Sequence, residues 1–134
     1  MASRKINDLH PDLQPIALKF LERCNSIGLD ILITCTFRSW IEQEKLYSIG
    51  RTLPGKKVTN ARPGQSKHNN MIDGRPASLA FDVVPMKSGK PIWNDRDPIW
   101  GIIGEIGVEL GLDWAGRWKS FVEYPHFQLN IPTT

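Results

Sequence analysis

Three short pieces of this sequence carry residues whose types and spacing could do chemistry: Ser66-Lys67-His68, Ala80-Phe81-Asp82 and Glu123-Tyr124-Pro125-His126. Asp82 lies in the apolar run Ser78 to Val84, where alternation puts Leu79, Phe81 and Val83 on one face and Ala80, Asp82 and Val84 on the other. A carboxylate in such a strand is costly to bury alone, so it must be paired, hydrogen-bonded or bound to a metal. The small Ala80 on the same face leaves room for a metal there, and a salt bridge to an arginine is the other reading. His126 has a similar setting, because Phe127 and Leu129 would face the core and leave His126, Gln128 and Asn130 opposite. The third histidine, His10, precedes Pro11 at the start of a helix and reads as a local surface or capping residue. Two histidines and an aspartate suit Zn2+, which takes N, O and S ligands tetrahedrally and keeps one position for water at catalytic sites. Glu123 is placed to act as a base. Residues three apart on a regular strand point to opposite faces, so the chain must bend between Glu123 and His126, and Pro125 gives a reason.

These residues need elements to position them. The apolar spacing of Leu13, Ile16, Ala17, Phe20, Leu21 and Cys24 predicts a helix from about Pro11 to Ser26, with Gly28 just past its end. Leu29 to Phe37 reads as a buried strand, and Ser39 with Glu42 forms a capping-box spacing that opens a second helix to about Ile49. Arg51 to Pro76 is a long loop rich in Gly, Pro, Asn and Lys, with room for a short strand near Val58. Ser78 to Val84 reads as a central strand and Pro85 to Pro91 as a turn. Asp97-Pro98 starts a third helix carrying Ile99, Ile102, Ile103, Ile106 and Leu110, closed by Gly111. One or two strands follow between Leu112 and Ile131, with Trp114 and Trp118 near a bend. The predicted class is α+β: a small antiparallel sheet with about three helices packed around it and the metal site on its open face.

At 134 residues the chain is read as one domain, residues 1–134, with no separate second module. Hydrophobic content of 40% and charged content of 23% exclude disorder. The 17 basic and 14 acidic residues give +3, and Arg51, Lys56, Lys57, Arg62, Lys67 and Arg75 concentrate the excess where a polyanion could be attracted. No run reaches the roughly 20 apolar residues that cross a bilayer, and Met1 to Asp12 lacks the apolar core of a signal peptide. A cytoplasmic protein without membrane insertion is therefore expected. Cys24 and Cys35 sit at apolar positions and read as buried free thiols.

Taken together, these pieces resemble the M15 family of zinc D,D- and L,D-peptidases, whose pattern is Ser-x-His, Ala-x-Asp, then Glu-x-x-His. Thr36-Phe37-Arg38-Ser39-Trp40, with Gln43 and Leu46-Tyr47, is similar to the family's Tyr-Arg-Ser-x-x-x-Gln-x-x-Leu-Tyr segment. Gly111 to Trp118 looks like the Trp/Gly-rich stretch of phage endolysin members, and Leu9-His10-Pro11-Asp12-Leu13 has the same flavour, so the likeness spans nearly the whole chain. By that resemblance His68, Asp82 and His126 would bind zinc, Glu123 would be the catalytic acid/base, and Arg38 would contact substrate and the developing oxyanion. Gln43, Ser66, Trp114 and Trp118 would contact substrate. One departure stands out: the family's usual spacing is Ser-x-His-x-x-x-x-x-x-Asp, whereas His68 and Asp82 are fourteen apart. This implies an insertion at Asn69 to Pro76 and makes Asp73 a rival ligand, although Asp73-Gly74 reads as a turn.

The resemblance implies a monomeric peptidase acting on peptidoglycan. A phage endolysin cutting the L-alanyl-D-glutamate bond is expected, held in the host cytoplasm until a holin permeabilises the membrane. A D-Ala-D-Ala carboxypeptidase or dipeptidase of the same family is the alternative, and a non-catalytic zinc-stabilised murein-binding domain is a third. Glu123 argues against the last, since a binding module has no need of a carboxylate base. No nucleic-acid partner is expected, because no recognition motif accompanies the basic loop.

Overall fold

A computed structural model describes residues 2–131. Three helices, α1 (Gln14–Ser26), α2 (Trp40–Ser48) and α3 (Ile99–Glu109), surround seven strands in two antiparallel sheets: β1 (Asp30–Cys35), β2 (Met71–Ile72), β3 (Arg75–Pro76), β4 (Ala80–Lys87), β5 (Lys90–Pro91), β6 (Asp113–Trp114) and β7 (His126–Gln128). The main sheet runs β1-β4-β7-β6, with β5 folding back on the end of β4. This is the α+β arrangement read from the sequence.

The sheet's covered face is built by alternation. Phe81 pairs with Phe127 across β4 and β7, and both pack on Phe20 of α1 with ring centroids 5.6 and 4.9 Å away. All three rings are fully buried, and α3 adds Trp100, Ile103 and Ile106 to the same core. One residue further along each strand the pairing is Asp82 opposite His126, facing away from that core. The other neighbour of Asp82 is Cys35, reached through an irregularity in register after Ile33. Three polar side chains from three adjacent strands are thus held side by side by the packing beneath them.

Local sequence explains the edges. Both halves of the capping box form: Glu42 N–H donates to Ser39 Oγ at 3.1 Å, and Ser39 N–H donates to Glu42 Oε1 at 2.8 Å. Asp97 accepts the Ile99 N–H at 3.0 Å, so α3 begins just after Pro98. Pro85 does not end its strand as expected: β4 continues to Lys87 and the turn is only Ser88-Gly89. A proline lacks only the N–H, and the Pro85 carbonyl still accepts from Ile92 at 2.8 Å. The loop after α2 holds no strand at Val58. It turns back at Gly50, whose φ of +80° and approach to Lys57 leave no space for a Cβ.

The segment Asn69 to Pro76, expected as an insertion, folds back on itself. β2 and β3 form a small hairpin around Asp73-Gly74, both at positive φ, as a tight two-residue turn demands. At its base Ala77 N–H donates to the Asn70 carbonyl at 3.0 Å and Asn70 Nδ2 donates to the Ala77 carbonyl at 2.9 Å. Pinched there, the extra residues leave the ends of the segment close together.

Candidate metal centre and active site

A cleft of about 480 Å³ opens on the sheet face opposite the helical core, and His68, Asp82, Glu123, His126 and Arg38 line it. Asp82 and His126 come from paired strands, and His68 comes from a 3-10 turn, Lys67–Asn69, capped by Ser66 Oγ. His68 Nε2 lies 3.2 Å and His126 Nδ1 3.0 Å from the same oxygen, Asp82 Oδ1. Asp73, the rival ligand, sits at the hairpin turn and lines a different hollow with Asn7 and Leu9. Asp82, and not Asp73, therefore shares the cleft with both histidines despite the longer spacing.

The far nitrogens of both rings are engaged. His68 Nδ1 is 2.7 Å from the Thr36 carbonyl, which can only accept. His126 Nε2 is 2.9 Å from Gln128 Oε1, also an acceptor. With protons on those far nitrogens, the near nitrogens turn lone pairs toward a carboxylate. Three acceptors converging on one point require a positive charge among them, and imidazoles oriented by outer hydrogen bonds are the usual way to prepare metal ligands. The donor set His68, Asp82, His126 fits a divalent metal.

In the protein alone, protons supply that charge. Burial opposes ionisation of His68, but the Asp82 carboxylate beside it more than reverses this and holds the imidazolium up to about 10. Burial likewise opposes the charge on Asp82, yet the two imidazoles keep its carboxyl well below the usual carboxylate range. Glu123 goes the other way. Partial burial, helped by the charge of Asp82, raises its pKa, while His126, His68 and Arg38 pull it back only in part. The Glu123 carboxylate has no hydrogen-bond or ion-pair partner among the described residues, and the chain bends beneath it through a His126 N–H to Glu123 carbonyl bond of 3.3 Å. The bend expected at Pro125 is therefore present and brings Glu123 to the same cleft as His126.

Arg38 satisfies both readings of Asp82 at once, since its Nη2 lies 3.8 Å from Asp82 Oδ2. Its Nη1 donates to Gln43 Oε1 at 2.9 Å. Gln43 is fully buried and spends its amide on the Ala61 carbonyl at 2.8 Å and Thr59 Oγ1 at 3.4 Å, which corrects its expected place in substrate contact. It stands behind Arg38. Trp114 is also corrected, being a core residue stacked on Phe127, with Nε1 donating to the Tyr124 carbonyl. Its ring fits only because positions 104 and 116 are glycines, where an added Cβ would come within 2.4 and 2.2 Å of it. Ser66 and Trp118 do line the cleft, and Trp118 packs obliquely on His126 with centroids 5.6 Å apart.

Several contributors were not singled out in the sequence. Cys35, free and buried as expected, brings Sγ to 3.6 Å from both His68 Nδ1 and Arg38 Nη2. Cys35, His68 and Asp82 form a second possible ligand triad, with one ligand atom each and all within 4.8 Å of one another. The thiol approaches the His68 nitrogen already bonded to Thr36, whereas His68 Nε2 and His126 Nδ1 both face Asp82 Oδ1. Gln128 and Asp113 steady the other side. Asp113 accepts from Gln128 Nε2 at 3.4 Å and from Trp118 Nε1 at 3.0 Å. Asn69, placed at the start of the presumed insertion, is buried and donates to the Arg38 carbonyl at 2.7 Å. Only Gln128 left a signal, lying two residues from His126 on the same strand face.

Comparison with known proteins places the chain in a peptidase family. The signature of a family described as D-alanyl-D-alanine carboxypeptidase matches residues 59–129, and a second of the same description matches residues 6–86. The peptidoglycan L-alanyl-D-glutamate endopeptidase CwlK of Bacillus subtilis is 37% identical over 131 residues, spanning 92% of this chain and 74% of that protein. Among solved structures, the L-Ala D-Glu endopeptidase ChiX of Serratia marcescens superposes with a TM-score of 0.67 at 23% identity, covering 97% of this chain and 89% of that one. The LD-carboxypeptidase LdcB superposes at 0.65 with 15% identity, over 90% of this chain and 58% of its own. The last two likenesses establish the fold.

Proposed function

This chain belongs to the M15 family of peptidases, and from that premise we propose that it is a zinc-dependent endopeptidase cleaving the L-alanyl-D-glutamate bond of peptidoglycan stem peptides. The observation that carries the reading is the convergence of His68 Nε2 and His126 Nδ1 on Asp82 Oδ1 in a cleft shared with Arg38 and an unpartnered Glu123. The activity of the Bacillus subtilis relative, at 37% identity, supports the choice of bond. A bound zinc ion would supply Lewis acidity and a lowered pKa for coordinated water. Glu123 accepts a proton from the attacking water at its carboxylate and passes it to the leaving amine, which is why a raised pKa serves it. Arg38, held by Gln43, offers N–H donors to the charge that develops on the scissile carbonyl oxygen. Trp118 covers one side of His126 and narrows access of bulk water.

The proposal extends to a monomeric phage endolysin that reaches the wall from the host cytoplasm after a holin opens the membrane. Mass spectrometry of purified peptidoglycan digested with and without a chelator tests the activity. Chelator-sensitive release of peptides beginning at D-glutamate, absent in Glu123→Ala, is expected. Release of terminal D-alanine alone would move the protein to the carboxypeptidase branch, and no cleavage with metal still bound would favour a binding domain.

A further inference from the structure

A segment beside the cleft concentrates the chain's positive charge. Between Lys45 and Ile72 the sequence holds six cations (Lys45, Arg51, Lys56, Lys57, Arg62 and Lys67) and no carboxylate. The rest of the chain, with eleven of the 17 basic residues and all 14 acidic ones, is net −3. Thr59, Asn60, Ala61, Gln65, Ser66 and Lys67 of this cationic segment line the cleft directly. Elsewhere the surface cations Arg23 and Arg117 are paired with Glu109 and Glu105. Among the described residues no carboxylate stands within ion-pair distance of any of the six.

The loop keeps its shape without counter-charges. Arg51 stacks on the Tyr47 ring at 3.7 Å and donates to the Tyr47 and Thr59 carbonyls, and Arg62 Nε donates to Tyr47 Oη at 3.2 Å. Gln43 ties the Ala61 carbonyl from behind. Two cations are thus spent on holding the loop, while Lys56 and Lys57 stand exposed on its rim. Clustered like charges repel one another, and a fixed loop that holds them together beside a cleft is suited to an anionic partner rather than to stability.

We propose that this loop is a docking surface for the free carboxylates of peptidoglycan stem peptides around the one being cut, so that the catalytic domain holds the wall by its own cleft rim. The inference rests on the peptidoglycan reading above and names how that substrate is gripped. Attraction between exposed charges is screened beyond about 8 Å at physiological ionic strength, so the grip weakens with salt.

The test is co-sedimentation of the full chain with purified peptidoglycan, alongside turnover of a soluble stem tetrapeptide. Lys56→Glu with Lys57→Glu is expected to weaken sedimentation about tenfold at low salt. The same pair should leave soluble-peptide kcat/KM unchanged, since neither side chain lines the cleft. Lys87→Glu with Lys90→Glu, an equal charge change on the exposed β4–β5 turn, should sediment as the unmodified protein does. Converting the wall's carboxylates to amides should abolish the difference between the two pairs. Equal loss in both pairs, or no loss in either, overturns the proposal. So does retention on amidated walls that disappears when phosphate polymers are stripped, which would name a phosphodiester partner instead. If the unmodified protein sediments in this loop-dependent way yet cleaves no soluble peptide, the docking surface stands and the peptidase reading falls.

Discussion

The two sides of the cleft are built by different physics. Asp82 and His126 stand on paired strands whose next residues, Phe81 and Phe127, are locked in the core. His68, Arg38 and the Thr59–Ala61 wall stand on irregular chain, held by individual bonds from Thr36, Gln43 and Asn69. The strand side fixes positions by packing and register, where a slip of one residue would turn every side chain over. The loop side fixes orientation one hydrogen bond at a time and so can vary in length, as the hairpin between His68 and Asp82 does. The comparison teaches that Asp82 and His126 owe their placement to sheet register, whereas His68 and Arg38 owe theirs to individual loop contacts.

Perturbations that separate the two sides should differ in kind. The largest effect on rate is expected from Glu123→Gln: kcat for stem-peptide cleavage falls about 10²- to 10⁴-fold while metal content is unchanged, read by steady-state kinetics and metal analysis. On the strand side, Phe127→Ala should cost about 3–5 kcal/mol of folding stability in denaturant titration, because it removes a fully buried ring beneath the ligands. Gln128→Leu removes the acceptor that orients His126 and should weaken metal binding about 10- to 100-fold in competition titrations with little loss of stability. On the loop side, Gln43→Leu should lower kcat by about tenfold with metal affinity preserved, because it frees Arg38 and leaves the Ala61 carbonyl unpaired. A kcat loss that tracks metal loss in Gln43→Leu would erase the distinction between the sides.

Proton linkage gives a further test. The folded-state pKa of His68 is raised to about 10, so at neutral pH the ring carries the proton that a metal must displace. Metal affinity should therefore rise as pH rises, by about tenfold per unit between neutrality and pH 9 for one linked proton, and calorimetry in buffers of different ionisation heat should show that proton released. Glu123 depends on pH in the same direction. As a base with a raised pKa, it loses function as pH falls, and the acidic limb of kcat/KM should lie above the ordinary carboxylate value of 4.5.

What could be read in the sequence follows the same division. Period-two alternation in Ser78–Val84 and around His126 placed Asp82 and His126 on one face, because burial of Phe81 and Phe127 leaves a strand no other choice. The capping box at Ser39 and Glu42 is local and equally legible. Cys35 was not, since the irregularity after Ile33 that sets it beside Asp82 depends on the partner strand. Gln43 and Trp114 carry polar tips that suit a substrate site equally well. Only the three-dimensional packing shows that Gln43 is sealed behind Arg38 and that Trp114 lies between Gly104 and Gly116. Pro85 misled because proline ends helices more reliably than it ends strands, where one missing N–H can be spared.

The central claim is that the strand-borne pair, with His68, makes the metal centre on which the peptidase acts. The most direct measurement is zinc bound per chain, by mass spectrometry of the metal after dialysis, for Asp82→Ala beside Asp73→Ala. One zinc in the unmodified protein and in Asp73→Ala, with none in Asp82→Ala while all three remain folded by circular dichroism, is the predicted result. Full zinc in folded Asp82→Ala, or its loss from Asp73→Ala, would contradict it.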